Sequence, residues 1–408
     1  MKIALVRARY NPFGGAERFV ARALRALATD RGASPEVAVL ARSWQDAEDS
    51  SRSDDVPPIR FVRCDPFYIG SVWRDASFAK AVHARLRRES FDLVQSHERI
   101  AGLPIYRAGD GVHAAWLERR ARVVDACARM SIALNPHHRY LLRTERAMFE
   151  HPALRVVICN SEMVRREIAE RFAIARDQLV LVRNGVDLDR FHPDARAVYR
   201  DAMRRQLNVA ADARVFVLVG SGFERKGVKQ ALEALHGVDS AVLVIVGDDK
   251  HSDRYEAEAA GLGVASRVRF VGPVSDPLPY YAMADLFLLP TIYDPFPNAA
   301  LEALACGLPV ITTDACGVAE LIDEHVTEHA TEQATEHATE HVDERVNGWV
   351  VAAGQTQPLR EAMQSAAGLD AAQLHSMSQA ARRAAEPYSL AALSTSLLSL
   401  YRSLMNER

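Results

Sequence analysis

The chain has no run of apolar residues approaching the roughly 18 that a membrane-spanning helix needs. It has almost no net charge: 50 lysines and arginines face 53 aspartates and glutamates. Nothing in that balance drives it toward nucleic acid. It is poor in cysteine. Cys64, Cys127, Cys159, Cys306 and Cys316 are odd in number and scattered, and none forms a Cys-x2-Cys pair. That argues against a disulfide framework and against a zinc site, and a reduced, cytoplasmic setting is the expectation. The opening MKIALVRARY has one lysine, a very short apolar run, then Arg7 and Arg9. It reads as a first strand and not as a signal peptide. No G-x-G-x-x-G follows it, so a dinucleotide-binding dehydrogenase lacks its fingerprint.

What is present is ordinary for a two-domain globular enzyme: 408 residues, 49% hydrophobic and 25% charged. The most informative stretch is 284–313, ADLFLLPTIYDPFPNAALEALACGLPVITT. Residues 286–289 suit a buried strand, and Pro290 ends it. Residues 291–297 form a loop, Asn298 is a plausible N-cap, and 299–306 are good helix formers. Gly307 and Pro309 stop the helix, and 310–312 make the next strand. Such a unit belongs to a parallel sheet, with its loop at the carboxyl end where ligands bind.

Two carboxylates mark this unit, Asp294 in the loop and Glu302 eight positions later in the helix. The first backbone N–H groups of a helix, here Asn298, Ala299 and Ala300, have no partner within it and favour an anion such as a diphosphate. A carboxylate one turn in can take ribose hydroxyls. The plainer reading makes Glu302 a solvated acid and Asp294 a turn former. The spacing and the EALACGLPV tail resemble the Glu-x7-Glu motif of retaining family 4 glycosyltransferases, with Asp294 in place of the first Glu. That resemblance implies a GT-B architecture: two Rossmann-like domains facing a central cleft, with a last helix crossing back to the first. It places domains at 1–190, which would bind acceptor, and 191–385, which would bind the nucleotide sugar. Residues 386–408 would be the returning helix.

The same likeness extends along the chain. Gly14-Gly15, in FGGAER, lets backbone approach an anion closely or makes a tight turn. The family implies the former, against the donor diphosphate. Asp110 and His113 end a strand and are the acceptor candidates, Asp110 first, although a turn Asp and a surface His would look alike. Residues 113–150 are helical in tendency and rich in arginine, with Trp116 and several aliphatics. They suit an anionic membrane surface or a solvated helix pair. Arg183–Asp187 resembles the family turn closing the first domain, and 191–208 reads as the crossing. In GFERKG, Arg225 and Lys226 precede a helix and match the family phosphate clamp. Backbone near 271–274 would face the base. Residues 323–344 repeat TEHA-like units, a solvated insertion in preference to a metal site. Helices close the chain from about 359.

These readings converge on a metal-independent, retaining hexosyltransferase without cofactor. It would take a sugar from a nucleotide diphosphate donor, UDP-linked, to a glycan or glycolipid in lipopolysaccharide core or other envelope polysaccharide synthesis. The residues assigned to catalysis are Asp294, Lys226, Arg225 and Asp110. Peripheral attachment to the inner face of the cell membrane is expected through 113–150. An epimerase or hydrolase on the same fold, or a binding-only homologue, would differ by acting without acceptor or not at all.

Overall fold

The computed structural model of the chain describes residues 2–10, 36–44, 59–322 and 346–406. The Gly14-Gly15 turn, the helix expected after it and the 323–344 repeat lie outside the described residues. The chain forms two compact units, Met1–Gly185 with Leu390–Arg408, and Val186–Ser389.

The first unit carries β1 (Lys2–Val6), β2 (Arg9–Tyr10), β3 (Glu36–Ala41), β4 (Ser43–Trp44), β5 (Ile59–Arg63) and α1 (Gly70–Leu86). Then come β6 (Leu93–Ser96), β7 (Ile105–Arg107), α2 (His113–Val123), α3 (Ala126–Leu134), α4 (Pro136–Phe149), β8 (Val156–Cys159), α5 (Glu162–Arg171) and β9 (Leu179–Leu181). The main sheet is parallel, in the order β5-β3-β1-β6-β7-β8-β9. Strand residues alternate between two buried faces, as a sheet covered on both sides requires. Ile3, Leu5, Val37 and Val39 face one core, and Ala4, Val6, Ala38 and Leu40 face the other. Phe78 and Val82 of α1 cover the second face.

The basic 113–150 segment is broken by its own caps. Asp125 accepts the Ala128 N–H and Asn135 accepts the His137 N–H, with Pro136 opening α4. Each cap ends one helix and starts another, so the continuous helical tendency becomes three helices. Helix α1 starts at Gly70, earlier than the 76 that periodicity suggests. Among the described residues no helix is long and apolar enough to cross a membrane.

The second unit runs α6 (Ala195–Gln206), β10 (Arg214–Val219), α7 (Phe223–Lys226), α8 (Val228–Leu235), β11 (Ala241–Val246), α9 (Ser252–Gly261) and β12 (Val268–Gly272). It continues with α10 (Leu278–Met283), β13 (Leu286–Leu289), α11 (Asn298–Ala305), β14 (Val310–Thr313), β15 (Gly348–Val351), α12 (Thr356–Ala367) and α13 (Ala371–Ala385). Its parallel sheet has the order β12-β11-β10-β13-β14-β15, the arrangement of a Rossmann sheet. Val215 and Val217 face one core while Phe216 and Leu218 face the other.

Several elements escaped the sequence reading, α10 and β4 among them. The stretch read as a crossing contains α6, and 348–351 is an edge strand. Helix α6 is held by charge: Arg196, Arg200 and Arg204 all donate to Asp285, which also accepts the Val215 N–H. The last helix, α14 (Leu390–Asn406), returns to the first unit. Leu393, Leu397, Tyr401 and Leu404 pack on the β1–β3 face, and the Tyr401 hydroxyl donates to Gln95.

Candidate active site

In the second unit β10 and β13 are neighbours, but β10 leads on to β11 and β13 to β14, on opposite sides. The loops leaving their carboxyl ends therefore diverge and leave a crevice, the usual ligand position in such sheets. The sequence puts Gly220–Gly227 on one loop and Pro290–Pro297 on the other.

The two loops are stitched through backbone. The Arg225 carbonyl accepts the Ile292 N–H at 2.9 Å and the Thr291 hydroxyl at 2.8 Å. Gly227 has φ +76°, and a Cβ there would stand 1.9 Å from the Pro290 carbonyl oxygen. No other residue fits so close an approach. Phe223, buried against Tyr255, anchors the single turn α7, and its N–H donates to Asp249 at 2.8 Å.

This places Arg225 and Lys226 beside the loop acid. Lys226 Nζ donates to Asp294 Oδ2 at 2.7 Å, and Arg225 Nη1 donates to the same oxygen at 3.0 Å. Lys226 and Asp294 are buried, while the Arg225 side chain is 39% exposed. Burial alone would push the Asp294 carboxyl up, but Lys226 and Arg225 more than offset this and hold it below its usual value. Two cations share one carboxylate, so the cluster is net positive. The Asp294 backbone is fixed as well: its N–H donates to the Ala315 carbonyl and its carbonyl accepts the Gly317 N–H, both at 2.9 Å.

Helix α11 begins at Asn298 with Pro297 as its N-cap, so Asn298 is the first helical residue and not the cap. Proline without an N–H suits that end, and its carbonyl accepts the Ala300 N–H at 3.2 Å. Asn298 and Ala299 are half-buried at the helix start. Glu302, one turn on and half-buried, accepts the Tyr281 hydroxyl on Oε2 at 3.0 Å. Val271 and Val274 pack on the core of this unit.

The first unit has its own switch between β1 and β6. At that edge Arg7 Nη1 lies 3.8 Å from Glu98 and 3.9 Å from Asp110, and Glu98 accepts the Ala8 N–H at 2.9 Å. The Asp110 side chain is 61% exposed. His113 is the first residue of α2 and half-buried. Its ring Nε2 meets His138 Nδ1 at 3.2 Å. Burial, with Arg99 and His138 nearby, pushes the His113 pKa down to about 3, so its imidazole is neutral near pH 7.

The structure thus joins Arg225, Lys226 and Asp294 in one contact, and carries Asn298, Ala299, Ala300 and Glu302 on one helix. It sets Asp110 beside Arg7 and His113 beside His138. Gly14 and Gly15 lie outside the described residues. The sequence reading missed Glu98, Glu145 and Tyr281. Glu98 was findable, because it follows β6 at a switch point. Glu145 is fully buried and accepts the His113 N–H at 2.8 Å and Arg99 Nε at 2.9 Å. Its local sequence gives no hint of that.

Comparison with known proteins bears on the family and the fold. Residues 13–190 match the family described as Glycosyltransferase Family 4, and residues 199–384 match Glycosyl transferases group 1. The lipopolysaccharide glucosyltransferase WaaG of Escherichia coli is 27% identical over 327 residues, 79% of this chain and 83% of its own. The lipopolysaccharide core biosynthesis glycosyltransferase LpsE of Rhizobium meliloti is 36% identical over 114 residues, 28% of this chain and 34% of its own. A crystal structure of WaaG superposes with a TM-score of 0.77 at 24% identity, covering 98% of this chain and 99% of that one. HepE of Anabaena in complex with UDP and glucose gives 0.69 at 19% identity, covering 99% and 100%. At these identities the superpositions establish the fold. With both sheets, the switch-point cluster and two adjoining family matches in hand, the chain belongs to the glycosyltransferases that join a family 4 domain to a group 1 domain on the GT-B fold.

Proposed function

We propose that the protein is a retaining hexosyltransferase. It moves a sugar from a UDP-sugar to a glycan or glycolipid acceptor in the assembly of lipopolysaccharide core or a similar envelope polysaccharide. The observation that carries this is the convergence of Arg225 and Lys226 on Asp294 at the switch point of the second sheet. The complex of HepE with UDP and glucose supports the choice of donor.

The chemistry follows from the leaving group. Breaking the sugar–phosphate bond leaves charge on a diphosphate, and preorganised cations in a water-poor site stabilise it most. Lys226 offers three donors and Arg225 five, so Asp294 leaves both with bonds to give. Asp294 keeps them aimed, and little reorganisation is needed when charge develops. The start of α11 adds the helix dipole, and Glu302 takes the ribose hydroxyls. The family motif places a longer Glu where Asp294 stands. Here Oδ2 is committed to two cations, so we assign Asp294 to orienting the clamp. A loop carboxylate at this position could also reach the donor sugar beyond the phosphate; if Asp294→Glu is much more active than the parent, the shorter Asp is a weakening substitution for that contact. Among the described residues of the candidate site no side chain stands out as a nucleophile, and we assign front-face attack with the leaving phosphate taking the acceptor proton. In the first unit, exposed Asp110 is the proposed acceptor contact, and neutral His113 is limited to hydrogen bonding.

A lipid-linked acceptor is favoured by α3, which has no buried residue and exposes Met130 and Leu134. Arg122, Arg129, Arg139 and Arg143 are exposed around it, while Arg119 and Arg146 are spent on Glu167 and Glu150. Peripheral attachment from the cytoplasmic side fits this face. Flotation with anionic vesicles should rise with anionic lipid and fall with salt. Equal recovery with neutral vesicles would mean a solvated helix group.

The deciding experiment is a panel of UDP-, GDP- and ADP-sugars, read by slow hydrolysis and by protection against thermal unfolding. Protection by UDP-sugars alone is expected. Rapid donor turnover without acceptor would replace transfer by epimerisation or hydrolysis, and binding without turnover in the presence of envelope acceptors would make the chain a binding-only homologue.

A further inference from the structure

Tyr281 lies in α10 and is fully buried, with its ring against Phe191 at 6.0 Å and Phe287 at 6.1 Å. A tyrosine in such an apolar place usually finds a partner for its hydroxyl. Here the partner is Glu302, whose Oε2 accepts at 3.0 Å across 21 residues of chain. Helix α10 follows β12, whereas Glu302 sits on α11 after β13. The bond therefore ties the acid of one loop–helix unit to the unit before it.

We infer that Tyr281 is the positioning residue for Glu302, fixing its carboxylate to receive the two ribose hydroxyls of the donor nucleotide. This rests on the proposed ribose role of Glu302. A glutamate on a helix has three rotatable bonds, and a half-buried one must lose that freedom when it binds. One oxygen held by a rigid, buried phenol sets the plane of the carboxylate before the nucleotide arrives. A carboxylate offers about four lone-pair sites over its two oxygens, so one bond from Tyr281 does not by itself exclude ribose hydroxyls. The phenol is a hydrogen donor throughout, because burial and the neighbouring Glu302 push its pKa well above the ordinary value. The ring contacts with Phe191 and Phe287 hold that donor in place.

The test is calorimetric titration of the full chain with UDP and with 2′,3′-dideoxy-UDP, which lacks both ribose hydroxyls. Tyr281→Phe keeps the ring and removes only the donor. It should weaken UDP binding roughly three- to tenfold, as expected for losing one hydrogen bond that orders a charged group, and leave dideoxy-UDP unchanged. Glu302→Gln should show a loss of the same selectivity and larger size. Phe191→Leu disturbs the same ring packing without touching the hydroxyl, and should lower Tm without separating the two nucleotides. A UDP-selective loss in Glu302→Gln with none in Tyr281→Phe overturns the positioning role alone. Equal losses for both nucleotides in Tyr281→Phe also overturn it, because the tyrosine is then only packing. Equal losses in Glu302→Gln remove the ribose role itself and this inference with it.

Discussion

The main sheets of the two units share a doubly wound strand order, seven strands in one and six in the other, and present opposite kinds of polar edge. At the carboxyl ends of β10 and β13, charges meet at 2.7 and 3.0 Å, with Lys226 and Asp294 buried and backbone stitching one loop to the other. At the ends of β1, β6 and β7, the contacts of Arg7 with Glu98 and Asp110 are 3.8 and 3.9 Å, and Asp110 is mostly exposed. On the proposed function, the difference separates an edge for a constant ligand from one for a variable ligand. A diphosphate is the same in every nucleotide sugar, and a fixed cation pair, Lys226 buried and Arg225 partly exposed, would suit it. An acceptor glycan varies, and exposed groups at longer reach can serve it with little reorganisation.

That contrast can be broken most severely at its foundation. Asp285→Asn removes the partner of Arg196, Arg200 and buried Arg204 at the start of β13. Leaving a buried cation uncompensated typically costs about 3–5 kcal/mol, so thermal unfolding of the second unit should move down by many degrees. An unchanged Tm would show that the rigid edge does not depend on this cluster. Next in size, Lys226→Ala should lower transfer by roughly a hundredfold, about 3 kcal/mol of barrier. Arg225→Ala should cost less, because its side chain is 39% exposed. Near-parental rates in both variants would end the clamp assignment.

The pH dependence sharpens the same comparison. The Asp294 carboxyl is held low in the folded chain, so its contribution to stability is present above the unfolded value of about 3.9 and is lost as pH falls through the folded value. The Tm gap between the parent and Asp294→Asn should be open at pH 7 and close below about pH 4. A gap that does not change over this range would mean the charge pairing contributes nothing. Smallest is Asp110→Ala. It should raise the acceptor KM by about tenfold, roughly 1.4 kcal/mol, and leave protection by UDP unchanged. A matching loss of UDP protection would move Asp110 out of the acceptor role.

Much of the frame was legible because it is local. Runs such as 215–219 and 286–289 announce buried strands by their apolar continuity. Gly307 and Pro309 announce the end of α11, and Ser161 caps α5 through the Val164 N–H, as a serine just before a helical run commonly does. Errors came where local signals competed. Asn298 looked like a cap, yet the helix starts one residue earlier, with Pro297 in extended backbone as an N-cap that makes no side-chain bond. Helix α6 was hidden because its polar face carries arginines that look solvated. Arg196, Arg200 and Arg204 recur every four residues and all point to Asp285, some 81 to 89 positions away.

The sequence by itself determined most of the central strands, the stop of α11, the motif spacing of Asp294 and Glu302, and the presence of a basic pair before α8. Those are properties of neighbours within a few residues, where backbone preference and side-chain size decide. Only the tertiary structure decided who faces whom. Arg225 and Lys226 reach Asp294 across 69 and 68 residues, and Tyr281 reaches Glu302 across 21. Such pairs form because parallel strands bring their carboxyl ends to one edge, and burial then favours polar groups that find a partner there. A sequence names the groups that must be satisfied, and the sheet order decides which partner each can reach.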